Sequence, residues 1–469
     1  MSDHSKLQGS TGDADVGGVV TARSGTAREV LSLSAPMVMA FISFSMMGVV
    51  DTIIMGRVGT VEQGAVSFGS FLAWVLAVVF TATLTVVNTF VAQDFGAGLT
   101  HRLRVHVNTA FAVIPVFALA VWATIPALPW LIGAMGSDAE VSPHVLTYVR
   151  IRLIGVPFIF IVFTMTSYLR GQGDMWTPMV ATIAANVVNA AAAIVLVFGW
   201  GVIPPLGVRG AAIGTLIGGL TESLIYFAVY FGARHHRLYQ TRLIEAPTRT
   251  QLYRFAAVGL PIGFAWGFEN LAWLLFCVYA STQDPFALAA NMIVFQIIQF
   301  SFLPAAAVSI VGTTLVGQYL GARRKDLARR SARITVLVGV GYMAAVGLIF
   351  GLARHPLMSA FNPDLRVADI GVRLVVIAAL FQPFDALGLM VAGVLRGAGD
   401  TRYPMIVMAI SGAFVFMPGI WLFGEKMGMG VVGAWIAALV HVITYAGFQF
   451  ARYRRGVWLT MGPTEPEVR

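Results

Sequence analysis

Charge is what this chain has least of. Asp, Glu, Lys and Arg together make up 11% of its 469 residues, while 58% are hydrophobic; soluble domains carry roughly 25% charged residues. Such a shortage excludes an ordinary water-facing surface and reads as an integral membrane protein. Cysteine is nearly absent as well. Cys277 stands alone, which excludes a disulfide framework and any cysteine-based metal cluster. No histidine pair has metal-ligand spacing, and no P-loop, G-x-S-x-G or H-E-x-x-H motif occurs. Neither ATP-driven transport nor hydrolytic chemistry therefore has a basis in the sequence, and no cofactor is expected. Residues 1–28 are polar, rich in Gly, Ser and Thr, and lack an apolar centre. They are expected to form a disordered cytoplasmic tail rather than a cleaved signal peptide.

Long apolar runs supply the rest. A hydrocarbon core about 30 Å thick needs roughly 20 apolar residues in a helix. On that ruler the chain has twelve spans, near 29–55, 65–92, 107–134, 146–169, 179–200, 208–232, 254–281, 287–316, 334–353, 371–395, 404–424 and 430–451. These runs are too long for barrel strands, so the fold class is all-α integral membrane protein. The net charge of +9 does not require nucleic acid as a partner; the bilayer is the expected one. With both termini and the even-numbered connections on one side, that side holds 23 of the 31 Lys and Arg residues. The densest run, "ARRKDLARRSAR" at 322–333, joins spans 8 and 9. The positive-inside rule then puts both termini in the cytoplasm.

The chain also repeats itself. "YLRGQGDMWTPM" at 168–179 and "VLRGAGDTRYPM" at 394–405 share seven of twelve positions, 226 residues apart. Pro36 answers Pro261, "VAQDFGA" from Val91 answers "VGQYLGA" from Val316, and "GVRGAAI" from Gly207 answers "GVVGAWI" from Gly430, at offsets of 225, 225 and 223. Matches in one order at near-constant spacing describe a duplicated six-helix unit. Six is even, so both halves enter from one side and the pseudo-two-fold axis runs along the membrane normal. Parallel repeats of this kind build transporters, with the substrate site between lobes that rock. The expected organisation is a tail (1–28), an N-terminal lobe (29–235), a cytoplasmic linker (236–252), a C-terminal lobe (253–452) and a tail (453–469). The recurring phrase fits a tight turn between the fourth and fifth helices of each bundle. Gly permits the turn, Arg170 and Arg396 anchor it to the cytoplasmic face, and Asp174 and Asp400 accept backbone N–H groups ahead of Pro178 and Pro404. A gating role is the lesser reading.

Four acids lie inside apolar spans: Asp51, Glu222, Glu269 and Asp385. A carboxylate at mid-membrane costs about 2.5–3.5 kcal/mol on insertion scales, so such residues usually face a cavity. Glu269 stands in "PIGFAWGFENLAWLLF" with Trp266, Asn270 and Trp273 at spacings of three and four, which places them on one helix flank. An anion among aromatic rings suits a flat organic cation. The competing reading is a protonated carboxyl bonded to a neighbouring helix. Asp385 follows Pro383, which frees a carbonyl for ion coordination or bending. Asp51 is either a functional acid or an interfacial partner of Arg57. Glu222, between Thr221 and Ser223, reads equally as a structural acid or an accessory group. His441 reads as a packing histidine.

These residues together resemble the MATE (multidrug and toxic compound extrusion) family, in its NorM-like branch, over residues 29 to 455. The resemblance rests on "APMVMAFISFSMMGVVDTIIMGRVG", "GLPIGFAWGFEN", "QPFDALGLMVAGVLRGAGDTRYP" and the repeated L-R-G-x-G-D phrase. It implies that Glu269, Asp385 and Asp51 bind cations, with Na⁺ at Glu269 and Asp385 as one form of the site. Asn189 in "ANVVN" and Thr215 in "GAAIGTLI" match polar family positions. The chain departs from the family at Ala193, where an Asn or Asp is common one turn after Asn189. The resemblance further implies a monomer in the bacterial inner membrane. It would export cationic, amphipathic organic molecules in exchange for Na⁺ or H⁺. The alternative is a flippase for lipid-linked oligosaccharide or peptidoglycan precursors. Its anionic headgroup would want Lys or Arg within the cavity, whereas these spans hold acids and the basic residues cluster at their ends. A major-facilitator protein lacks support because no D-R-x-G-R-R loop joins spans 2 and 3. An intramembrane enzyme lacks a catalytic constellation, and a channel would not need two rocking lobes.

Overall fold

Within a bilayer every backbone N–H and C=O must be satisfied inside its own segment, so runs this apolar fold as helices. A computed structural model describes residues 25–135, 140–201, 203–361 and 364–461. Among them eleven helices are long and apolar enough to cross a membrane, and a bent pair supplies a twelfth. In chain order they are α1 (Ala27–Gly56), α2 (Thr60–Gly96), α3 (Thr100–Ala134), α4 (Ser142–Ile154 with Val156–Gln172), α5 (Trp176–Phe198) and α6 (Val208–Tyr230). The second half comprises α7 (Arg249–Ser281), α8 (Pro285–Gly321), α9 (Lys325–Leu352), α10 (Leu365–Ala398), α11 (Arg402–Lys426) and α12 (Gly430–Arg454). Each coincides with one expected span. Residues 1–24 of the expected N-terminal tail and 462–469 of the C-terminal one lie outside the described residues.

Three boundaries differ from expectation. The basic run at 322–333 is not simply a connection, because α9 starts at Lys325. Leu327, Ala328, Ser331, Ala332 and Thr335 turn inward while Arg329, Arg330 and Arg333 stay exposed, a 3.6-residue pattern that hydropathy alone overlooks. α7 starts at Arg249, inside the expected linker, because Thr248 and Gln251 close a reciprocal capping box there. Past α12, the expected tail folds back at its start: Trp458 is buried, and its ring nitrogen donates to the Tyr453 carbonyl at 3.1 Å.

The two halves pack by one plan. α1 lies on α5, α2 on α4 and α5 on α6; in the second half α7 lies on α11, α8 on α10 and α11 on α12. Between the lobes, α2 meets α7 and α8, and α1 meets α8. Gly259, Gly263 and Gly267 form a small-residue stripe on α7 that allows α2 to approach; a side chain at Gly263 would collide with Thr83 and the Val79 carbonyl. The halves bend differently. α4 breaks by 49° at Gly155, where a methyl group would strike Leu216, just before Pro157. α10 runs unbroken through the equivalent Pro383. The carbonyl that Pro383 frees, that of Ala379, lies 2.6 Å from where a Gly347 Cβ would stand. Of the two expected uses, ion coordination or bending, neither is seen for this carbonyl, which packs on α9.

Candidate functional site

Charged groups inside the helices come in two sets, one per lobe. In the C-terminal lobe, α7 carries Glu269 and α10 carries Asp385, and the two carboxylates lie within charge-interaction range of each other. Arg396, from the last turn of α10, lies within range of Glu269. Tyr445 of α12 completes the group, near Glu269, Asp385 and Arg396. Its ring reaches in because position 388 is glycine: a Cβ there would stand 2.8 Å from the ring. Both carboxylates are half-buried. Neither receives a hydrogen bond among the contacts of the described residues. They are thus not closed into a hydrogen-bonded pocket.

The N-terminal lobe holds its acids differently. Asp51 is buried, receives a long 3.5 Å contact from Thr215 Oγ1, and lies within range of Arg152 of α4. Arg57, the expected partner, is exposed and makes no ion pair with it. Asn189 is 1% exposed and neither of its amide atoms finds a partner. One turn on, Ala193 is fully buried against Gly214, with the would-be Cβ of Gly214 at 3.0 Å from its backbone. Glu222 is clasped: Thr182 Oγ1 donates to Oε1 at 2.7 Å and Tyr226 OH at 3.2 Å. Tyr226 in turn accepts from Thr166 at 2.9 Å, and Arg170 lies within charge range. The structural reading of Glu222 fits this network.

Arg170 and Arg396 accordingly do more than anchor a turn at the surface. Their guanidinium groups face inward, Arg170 over the Phe41 ring at 5.6 Å and Arg396 towards Ser309 Oγ at 3.4 Å. Basic residues are expected to cluster at helix ends, and Arg170 and Arg396 do lie in last turns, but their side chains turn inward to the acids. Of Arg152, Arg170 and Arg396, only Arg152 interrupts an expected apolar span; the other two stand just past the ends of theirs. Their partners are on other helices, and no spacing reveals them.

The expected cavity residues divide. Trp266 is partly buried against the main core, and Asn270 turns back to donate to the Trp266 carbonyl at 2.8 Å. Trp273 stands in a packed aromatic cluster, its ring 5.1–6.3 Å from those of Phe276, Phe295, Phe381 and Phe416. It is core rather than an open wall. His441 stacks on Phe416 at 5.1 Å, as a packing histidine does. No group of three or more His, Cys, Asp or Glu that could hold a metal ion occurs among the described residues. A Na⁺ ion at the C-terminal site would therefore have Glu269 and Asp385 as its charged ligands.

The repeat itself is recognised by a family model. The model for MatE matches residues 36–195 and again 261–422, starting at the same two prolines that set the internal offset. The chain belongs to the MatE family. A probable multidrug resistance protein NorM of Thermotoga maritima is 27% identical over 92% of this chain and 93% of its own length. The multidrug resistance protein MdtK of Edwardsiella ictaluri is 25% identical over 93% and 96%. Among solved structures, a MATE in the bent conformation superposes with a TM-score of 0.85 at 19% identity, covering 96% of this chain and 99% of that one. An outward-facing multidrug resistance MATE family transporter gives 0.85 at 18% identity, with the same coverage. This MatE protein is a multi-pass membrane transporter with the two-lobe fold, and not an enzyme.

Proposed function

We propose that this protein exports cationic, amphipathic organic molecules in exchange for Na⁺ or H⁺, at a site built on Glu269 and Asp385. One observation carries the reading: the charges of the two lobes balance differently. In the N-terminal lobe each of the two acids deep in the spans has an arginine, Asp51 with Arg152 and Glu222 with Arg170. In the C-terminal lobe Arg396 lies near Glu269, while the charged group beside Asp385 is Glu269 itself, leaving one negative charge over. An uncompensated charge away from water is costly, so the site demands one positive charge. A proton, a sodium ion or an organic cation can each supply it, but only one at a time. That mutual exclusion is antiport, because affinities linked through one site weaken each other reciprocally.

The basic ends of the helices lie in the cytoplasm by the positive-inside rule. On that orientation the site is emptied outward and refilled from within. One chain supplies both lobes that frame it, so a monomer suffices. The test is flux in proteoliposomes under an imposed Na⁺ or H⁺ gradient. Wild type should drive efflux of a fluorescent organic cation, whereas Glu269→Gln and Asp385→Asn should each remove the charge deficit and stop it. Gradient-driven export by the double variant would refute the proposal.

A further inference from the structure

The repeated turn has a use beyond reversing the chain. In both copies a glycine in the left-handed region, Gly173 at φ 87° and Gly399 at φ 90°, ends the helix. The following aspartate N–H donates back five residues, to Leu169 at 3.0 Å and to Leu395 at 2.9 Å. This closure fixes where the carbonyls just before the glycine point. Each is met by a side chain from the other lobe. Gln93 Nε2 of α2 donates to the Gly397 carbonyl at 3.0 Å, and Gln318 Nε2 of α8 donates to the Gly171 carbonyl at 2.8 Å. Gln93 and Gln318 are themselves equivalent under the 225-residue offset, so the two bonds are related by the molecule's own pseudo-two-fold axis.

Around them the backbones touch. A Cβ on Gly96 would overlap the Gln318 carbonyl, and one on Gly321 would overlap the Gln93 carbonyl. Two further bonds cross between the lobes, from Thr314 Oγ1 to Asn88 Oδ1 and from Thr89 Oγ1 to the Arg396 carbonyl, both 3.0 Å. Gln93, Asn88, Thr314 and Gln318 are all buried. The seam thus adds amide and hydroxyl bonds to an apolar core that Val91 and Phe95 of α2 share with Val316 and Leu320 of α8. On separation those groups would bond to water, so each protein bond contributes only a modest net free energy. These bonds can therefore be exchanged for bonds to water as the seam opens and closes.

We infer that Gln93 and Gln318 are a matched pair of positioning residues, each clasping the other lobe's turn to hold the basic end of the transporter closed. The inference rests on the alternating-access reading above. A closed basic end is the outward-facing stage of the cycle. Loss of either glutamine shifts the resting population towards an opening at that end.

The experiment measures distance rather than transport, so it stands apart from the choice of substrate or ion. Spin labels at His101 and Lys325, both exposed at the basic end, are introduced after Cys277→Ser in the full chain. Their separation is measured by electron–electron resonance in lipid nanodiscs. Gln93→Ala and Gln318→Ala should each raise the open-to-closed ratio about tenfold, equivalent to about 1.4 kcal/mol. The pair together should raise it further. Gln93→Glu with Gln318→Glu keeps the shape but loses the donors when ionised. That variant should open at high pH and close again as protonation restores them, which a packing role would not do. The same shifts are expected in the Glu269→Gln, Asp385→Asn background, so failure of the antiport reading would not mask them. An unchanged distance distribution in a folded double-alanine variant, or no pH response in the double-glutamate one, overturns the inference.

Discussion

The two lobes share a helix plan yet keep charge in opposite places. At the repeat offsets, Asp51, Arg152 and Thr215 of the N-terminal lobe answer Phe276, Ala378 and Ala438, all buried in the aromatic-rich core of the C-terminal lobe. Conversely, Glu269 and Asp385 answer Phe44 and Ile159. Glu222, clasped by hydroxyls in one lobe, is replaced by Tyr445 in the other. Only the inward-facing arginine, Arg170 or Arg396, is common to both. Duplication therefore preserved the frame while the polar groups were redistributed. The N-terminal lobe ended with its acids matched and the C-terminal lobe with one carboxylate in excess. On the proposed mechanism one lobe whose site demands a cation is enough.

The largest expected effect breaks the comparison at its centre. Asp385→Asn should cut gradient-driven efflux at least a hundredfold, whereas Asp51→Asn should leave it within about tenfold of wild type, both read as initial rates in proteoliposomes. A comparable loss in the two would mean that the lobes are not specialised. Next, Arg396→Gln should leave the C-terminal site with two uncompensated charges. Organic cations should then bind about tenfold tighter while turnover falls, because release becomes limiting; equilibrium binding beside flux separates the two. Arg170→Gln should act on stability instead. It strands Glu222 without its counter-charge, at a cost of about 2 kcal/mol, visible as a lower melting temperature in detergent. Adding Glu222→Gln should recover most of that loss. Smallest is Ala193→Asn. The position is packed against Gly214, so the larger side chain should lower the melting temperature slightly, by about 1 kcal/mol of overpacking, and add no cation site to the N-terminal lobe.

Much of the frame was legible in the sequence because it is written in single segments. Apolar length gives the twelve helices, and Pro36 with Pro261 gives the duplication. Asp174 behaves as its local spacing suggests, accepting from the Trp176 and Thr177 N–H groups at 3.1 and 3.0 Å. What depends on a distant segment was not legible. Asp400, in the second copy of the same phrase, instead takes Arg452 of α12 at 2.9 Å. The matching of Arg152 to Asp51 and of Arg170 to Glu222 likewise joins different helices, and so does the aromatic packing that claims Trp273. The shared glutamine of "VAQDFGA" and "VGQYLGA" was visible as a repeat, but its acceptor lies in the other lobe. Two carboxylates converging from α7 and α10 could be suspected from depth alone; that Arg396 lies near only Glu269 could not.

The most direct test of the excess charge in the C-terminal lobe is calorimetric binding of tetraphenylphosphonium to the purified protein, with and without Na⁺ or at lowered pH. One organic cation should bind per chain, displaced competitively by the small ion. Binding should be lost in Asp385→Asn and kept in Asp51→Asn. Equal binding by Asp385→Asn and wild type, or simultaneous occupancy by both cations, would contradict the account.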